Sequence, residues 1–126
     1  FKNKRIVFLG VTFKPNTDDM RDAVSLHMIP YLLKKKASIA YYDPTGKKKE
    51  FSKYKNCHFY SNILDACKNA DLIILHTEWD EFKSLDFRRL LKKNSFTLYD
   101  LRNLYSVESM KKNKIRYFSI GRPIIN

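Results

Sequence analysis

Lys14, Arg102 and Arg122 each follow closely on a short apolar run. Cations in such positions suit phosphate, ribose or carboxylate oxygens: lysine brings a compact point charge, and arginine a planar fork that can bond an oxyanion twice. Arg102 belongs to Asp100-Leu101-Arg102-Asn103, where Asp100 is available to orient the guanidinium. Lys14 belongs to Gly10-Val11-Thr12-Phe13-Lys14-Pro15, a loop with one glycine at its start and none after it. The G-x-G-x-x-G spacing that lets a backbone approach a pyrophosphate is absent, which disfavours ordinary dinucleotide binding. Pro15 stiffens the turn, and Thr17 or Asp18 is placed to cap a following helix.

Bringing such distant residues together requires a particular set of elements. Apolar runs at residues 5–9, 38–42, 57–60, 72–75, 96–99 and 115–119 read as strands, and the first and fourth are the most continuously hydrophobic, as central strands are. Between the first two, Ala23, Leu26, Ile29 and Leu33 share a helical face; Lys34-Lys35-Lys36 closes that helix and Pro30 is expected to kink it. Ser61 or Asn62 can cap a short helix through Ala66 and Cys67, and residues 85–91 and 106–110 supply two more. Strands alternating with helices predict an α/β fold, a three-layer Rossmann-like doubly wound parallel sheet of about six strands with the first and fourth adjacent. Ligands of such sheets bind beyond the carboxyl ends of the strands, so Lys14, Arg102 and Arg122 are expected on one edge.

The other reactive side chains have plainer readings. Asp19 and Arg21 read as an ion pair within their loop. Asp43 stands where Rossmann folds hold a ribose, but without the glycines its expected work is a turn with Pro44. Trp79 is expected to wedge a loop onto the core in preference to stacking on a base. His27, His58 and His76 lack metal-ligand spacing; His76 alone falls at the ligand edge, and none is assigned a catalytic role. Cys57 and Cys67 read as reduced structural thiols.

Composition frames these readings. The 126 residues suit one domain with a sizeable core, and 44% hydrophobic residues exclude a disordered tail. No apolar run approaches the ~20 residues of a membrane span. The basic, apolar start mimics a signal peptide but lacks a small-residue cleavage site, and reads better as a buried strand. A net charge of +12 first suggests nucleic acid. Lysine runs at 34–36, 47–49, 92–93 and 111–114, however, lie in separate loops and helix ends, and a scattered, solvated lysine surface explains them better than a nucleic-acid groove.

Taken together, Phe8-Leu9-Gly10-Val11-Thr12-Phe13-Lys14-Pro15-Asn16-Thr17-Asp18-Asp19-Met20-Arg21, Tyr42-Asp43-Pro44, Ala70-Asp71, Thr77-Glu78-Trp79, Asp100-Leu101-Arg102-Asn103 and Gly121-Arg122-Pro123 closely resemble the C-terminal domain of the UDP-glucose/GDP-mannose dehydrogenase family. The resemblance covers essentially the whole chain. F-K-x-x-T-x-D-x-R is its most specific element, and T-E-W with R-N-x-Y points within the family to UDP-glucose, with a UDP-N-acetylhexosamine or GDP-mannose as the alternative sugar nucleotide. It implies an enzyme of three parts: an N-terminal NAD-binding domain, a helical middle that forms a dimer, and a nucleotide-binding domain equivalent to residues 1–126. Family members oxidise the sugar C6 alcohol to a carboxylate with two NAD through a cysteine in G-S-C-F-P-K, a segment absent here, so neither Cys57 nor Cys67 inherits that role. Phe13 and Lys14 match the family's F-K pair at the UDP-sugar, and Arg102 matches its D-x-R-N arginine. Asp22-Ala23-Val24 departs from the family's Glu-Ser-Pro. The implied partners are UDP-glucose or UDP, the remaining domains of the same polypeptide and further copies of it, in the cytoplasm, with no nucleic acid or membrane; alone, this piece is expected to be inactive.

Overall fold

The computed structural model describes residues 1–91 and 95–120. Along the chain run β1 (Arg5–Leu9), α1 (Ser25–Lys34), β2 (Ser38–Tyr42), a 3-10 turn (Lys49–Phe51), β3 (Cys57–Phe59), α2 (Ile63–Cys67), β4 (Leu72–Leu75), α3 (Asp80–Lys83), α4 (Phe87–Leu91), β5 (Thr97–Asp100), α5 (Val107–Lys112) and β6 (Arg116–Ser119). The strands form one parallel sheet in the order β3-β2-β1-β4-β5-β6, as the alternation of runs predicts. The chain walks from β1 out to β3, returns to β4 and walks the other way, so the switch point lies between the two most apolar strands.

Alternate residues of each strand serve opposite layers. On one face Val7, Leu9, Ile73, Leu75, Leu98 and Tyr117 pack against Ala66, Phe82, Leu90 and Met110 from α2, α3, α4 and α5. On the other, Ile6, Phe8, Ile39, Tyr41 and Ile74 pack against Ile29 and Leu32 of α1 and against Phe51. Each fully buried side chain of this kind contributes roughly 1.5–3 kcal/mol. All three connections after β3 send their helices to the first face. The second face of β5 is therefore open among the described residues: Tyr99 is 39% exposed, and a groove of about 630 Å³ is lined by Ile6, Leu72, Phe96, Tyr99 and Phe118.

Several boundaries differ from expectation. β5 and β6 each begin one residue later than their apolar runs. Neither Thr17 nor Asp18 caps α1, which starts only at Ser25. Thr17 Oγ1 instead accepts the Asp19 amide, the Asp19 carboxyl accepts the Arg21 amide, and Asp22 adopts a left-handed φ of 62° that no helix can continue. Pro30 lies inside α1, which continues to Lys34. Asn62, not Ser61, caps α2 by accepting the Asp65 amide. Lys48 breaks the reading of its lysine run as solvated: it is buried, and its Nζ donates to Thr45 Oγ1.

Candidate functional site

The registers set Leu9 beside Leu75 and Leu75 beside Asp100, so the residues that leave β1, β4 and β5 share one edge. Gly10 opens the β1 loop at φ +78°, and a Cβ there would stand 2.6 Å from Thr77 Cβ. Backbone conformation and the close packing of Thr77 both require glycine.

The following loop is tied group by group. Asp43 Oδ2 accepts the Val11 amide at 2.8 Å. Ser25 Oγ donates to the Val11 carbonyl at 2.6 Å, Thr77 Oγ1 to the Thr12 carbonyl at 2.8 Å, and Thr12 Oγ1 to the Lys14 carbonyl at 3.0 Å. The Phe13 amide donates to the Asp19 carbonyl at 3.1 Å, and the Phe13 carbonyl accepts Arg102 Nη2 at 3.3 Å. Thr12, Ser25, Asp43 and Thr77 are all buried. A loop whose polar groups are satisfied by buried partners is rigid without glycines.

The structure brings together Phe13, Lys14 and Arg102. Phe13 is 44% exposed, Lys14 is exposed beside it, and Arg102 reaches across from β5. Its guanidinium donates Nε to the His76 carbonyl at 2.9 Å and stands 4.0 Å from Glu78 Oε2. Asp100 does not hold that fork, contrary to expectation. Its Oδ1 accepts the Arg102 backbone amide, while Oδ2 takes the Tyr105 amide at 2.9 Å and the Tyr117 hydroxyl at 2.6 Å. The result is an aromatic side chain, an ammonium and a guanidinium on one rim, a set suited to a base or sugar face and the phosphates beside it. Arg122, the third expected cation, lies outside the described residues.

The remaining candidates take structural roles. Asp43 makes its turn, with Oδ1 accepting the Thr45 amide and hydroxyl; its second oxygen's grip on Val11 is a function that sequence reasoning missed. Trp79 packs on the helical layer, as expected, and its Nε1 is buried without a partner among the described residues. Asp19 and Arg21 form their ion pair at 2.9 Å. Hydrogen bonds from the Arg21 side chain and amide hold the Asp19 carboxyl down at about 2, with a smaller pull from Lys14. His76 is 1% exposed, and burial, helped by the Arg102 charge, lowers its imidazole to about 4. Burial also pushes the Cys57 and Cys67 thiols up to about 12, far from any nucleophilic role.

A dinucleotide would need free amides at the turn between β1 and α1. The Val11 and Phe13 amides are already spent on Asp43 and Asp19, and the Ser25 amide at the start of α1 donates to His76 Nε2 at 2.9 Å. This turn does not fit a pyrophosphate cradle.

A doubly wound parallel sheet with a cationic rim at its switch point has the form of a nucleotide-binding α/β domain. Residues 7–107 match the model of the UDP-glucose/GDP-mannose dehydrogenase family, UDP binding domain, and the chain belongs to that family. It is 36% identical over 126 residues to a UDP-glucose 6-dehydrogenase of Rickettsia prowazekii, covering 98% of this chain and 29% of that protein. It is 40% identical over 124 residues to a UDP-glucose 6-dehydrogenase of Rhizobium meliloti, covering 97% and 28%. The chain thus spans under a third of the length of these curated relatives. Among solved structures, the NDP-N-acetyl-D-galactosaminuronic acid dehydrogenase of Methanosarcina mazei superposes over 96% of this chain and 25% of that one, with a TM-score of 0.82 at 23% identity, a likeness of fold.

Proposed function

We propose that residues 1–126 form a single domain that holds the UDP portion of UDP-glucose inside an NAD-dependent UDP-glucose 6-dehydrogenase. The observation that carries this reading is the 3.3 Å bond from Arg102 to the Phe13 carbonyl, which sets the guanidinium beside Phe13 and Lys14 at the switch point. The names of the relatives at 36% and 40% identity support UDP-glucose as the substrate. The parent oxidises the sugar C6 alcohol to the carboxylate of UDP-glucuronate. NAD and the reacting thiol belong to parts of the polypeptide other than this one, consistent with the closed β1–α1 turn and the two buried cysteines. This chain's share is positional. Phe13, Lys14 and Arg102 grip the nucleotide, and binding energy gained far from C6 holds that carbon in line for the chemistry.

The parent is a homo-oligomer whose N-terminal and central parts complete the site. It works in the cytoplasm, where buried, unpaired thiols such as Cys57 and Cys67 stay reduced. Scattered lysines give weak, salt-sensitive attraction to nucleic acid. The test is a titration of the chain with UDP-glucose, UDP, GDP, NAD and an oligonucleotide, followed by amide shifts. UDP and UDP-glucose should move Phe13, Lys14 and Arg102, and the chain alone should turn over no substrate. In the complete enzyme, Arg102→Ala and Lys14→Ala should raise KM for UDP-glucose about tenfold, the scale of a lost charge-assisted hydrogen bond. Shifts confined to GDP or the oligonucleotide would overturn the reading.

A further inference from the structure

α1 begins without a side-chain cap: Val24 cannot provide one, and the first turn holds no acid. The acceptor arrives from the far side of the switch point, where His76 Nε2 takes the Ser25 amide at 2.9 Å. An Nε2 that accepts carries no proton, so the proton lies on Nδ1, which meets Thr77 Oγ1 at 2.9 Å. Thr77 spends its own proton on the Thr12 carbonyl. Nε2 therefore fixes the backbone of Ser25, whose hydroxyl grips the Val11 carbonyl, and Nδ1 fixes the Thr77 hydroxyl, which grips the Thr12 carbonyl. The main-chain carbonyl of the same histidine receives Arg102 Nε. Three separate pieces of the rim converge on one residue, and none of these contacts is to solvent, since His76, Ser25 and Thr77 are all buried.

We infer that His76 is the positioning residue that registers the Phe13-Lys14 loop against Arg102, acting as a neutral imidazole with its proton on Nδ1. It touches no ligand. Its ring sits where folds of this kind seat a phosphate on the first helix, and there it replaces a ligand contact with an internal cap. Unlike the acceptor of an ordinary cap, it is bifunctional: Nε2 fastens the helix and Nδ1 fastens the strand end, so the distance between Ser25 and Thr77 is the width of one imidazole. The inference rests on the rim being the nucleotide site, and the experiment separates the two.

In the complete dehydrogenase, KM and kcat for UDP-glucose are measured for Arg102→Ala, His76→Phe, His76→Gln and His76→Asn. Phenylalanine keeps the ring's shape and loses both nitrogens; KM should rise about five- to tenfold, the scale of one or two lost hydrogen bonds, with kcat at saturation within about twofold. Glutamine reaches toward the Nε2 position and asparagine toward Nδ1, so each should recover part of the loss. A raised KM in Arg102→Ala beside an unchanged KM in His76→Phe overturns the inference and leaves the site standing. An unchanged KM in Arg102→Ala removes the site and the inference together. Nitrogen-15 shifts of the unaltered protein at neutral pH provide a check that needs no variant to fold: an Nε2–H tautomer or a charged ring at His76 overturns the inference, and an Nδ1–H tautomer supports it.

Discussion

An acid-x-arginine turn recurs in the chain as Asp19-Met20-Arg21, Asp86-Phe87-Arg88 and Asp100-Leu101-Arg102, and the first and last copies do opposite things. In both, the acid's Oδ1 accepts the arginine's own amide, at 2.9 and 3.1 Å. Asp19 lies at the surface with its second oxygen uncommitted, so the Arg21 guanidinium folds back onto it, and the pair closes on itself. Asp100 is buried, and Tyr105 and Tyr117 take its second oxygen. Arg102 has nothing left at home and extends to the carbonyls of His76 and Phe13. The same local pattern yields a self-contained ion pair in one place and a reaching fork in the other, and competition for a single oxygen atom decides which.

The largest effect that would break this contrast is expected at Asp100. Asp100→Ala strands three donors, two of them on buried tyrosines, and should cost about 4 kcal/mol of unfolding free energy, read by urea denaturation. A loss below about 1 kcal/mol would mean that Tyr105 and Tyr117 do not hold that carboxyl. Acid comes next, through the histidine whose carbonyl receives the released fork. His76 in the unfolded chain takes a proton near 6.5, whereas in the fold burial and Arg102 delay it to about 4. Between those values the unfolded state binds more protons, so stability falls as pH drops through the window, by up to about 3 kcal/mol. Thermal unfolding followed from pH 7 to pH 4 should show the fall, and His76→Gln should flatten its own share of it. Asp43→Ala should cost about 2 kcal/mol, less than Asp100→Ala because Thr45, unlike the two tyrosines, is exposed and can turn to water. The smallest effect belongs to the closed copy. Arg21→Ala should leave thermal stability nearly unchanged, while the Asp19 carboxyl, freed of its partner, titrates upward from about 2 in an NMR pH series.

Much of this was legible in the sequence. Continuous apolar runs announced β1 and β4 as adjacent central strands, so the shared edge of Lys14 and Arg102 could be anticipated, and the family resemblance added Phe13 to it. Arg102's partners could not be anticipated. Asp100 is two residues away and looked like the natural holder; the residues that divert it, Tyr105 and Tyr117, belong to a turn and an edge strand whose packing no local pattern encodes. The tying roles of Ser25, Thr77 and Thr12 are hidden in the sequence for a similar reason. A buried hydroxyl in an apolar stretch resembles ordinary filler until the fold brings a carbonyl to it, and the separations involved, 14 residues for Ser25 to Val11 and 65 for Thr77 to Thr12, lie far beyond any helical or strand period. The late start of α1 belongs with these. Thr17 and Asp18 have the chemistry of caps, but the tight turn at Asp19 and the left-handed Asp22 use up that chemistry before a helix can begin.

The stitched β1 loop also sets an order of events in synthesis. Its residues leave the ribosome ahead of their partners, so every long-range tie arrives afterwards: Asp43 for Val11, Thr77 for Thr12, and Arg102, 89 residues downstream, for Phe13. β1 must therefore wait in the nascent chain, apolar and unpaired, until β2 and then β4 emerge to flank it. Long-range parallel pairing of this kind is slow and exposes strands to aggregation. Arg102 follows β1, β2 and β4 in the chain, so its reach to the Phe13 carbonyl closes only after the strands beside that loop are available.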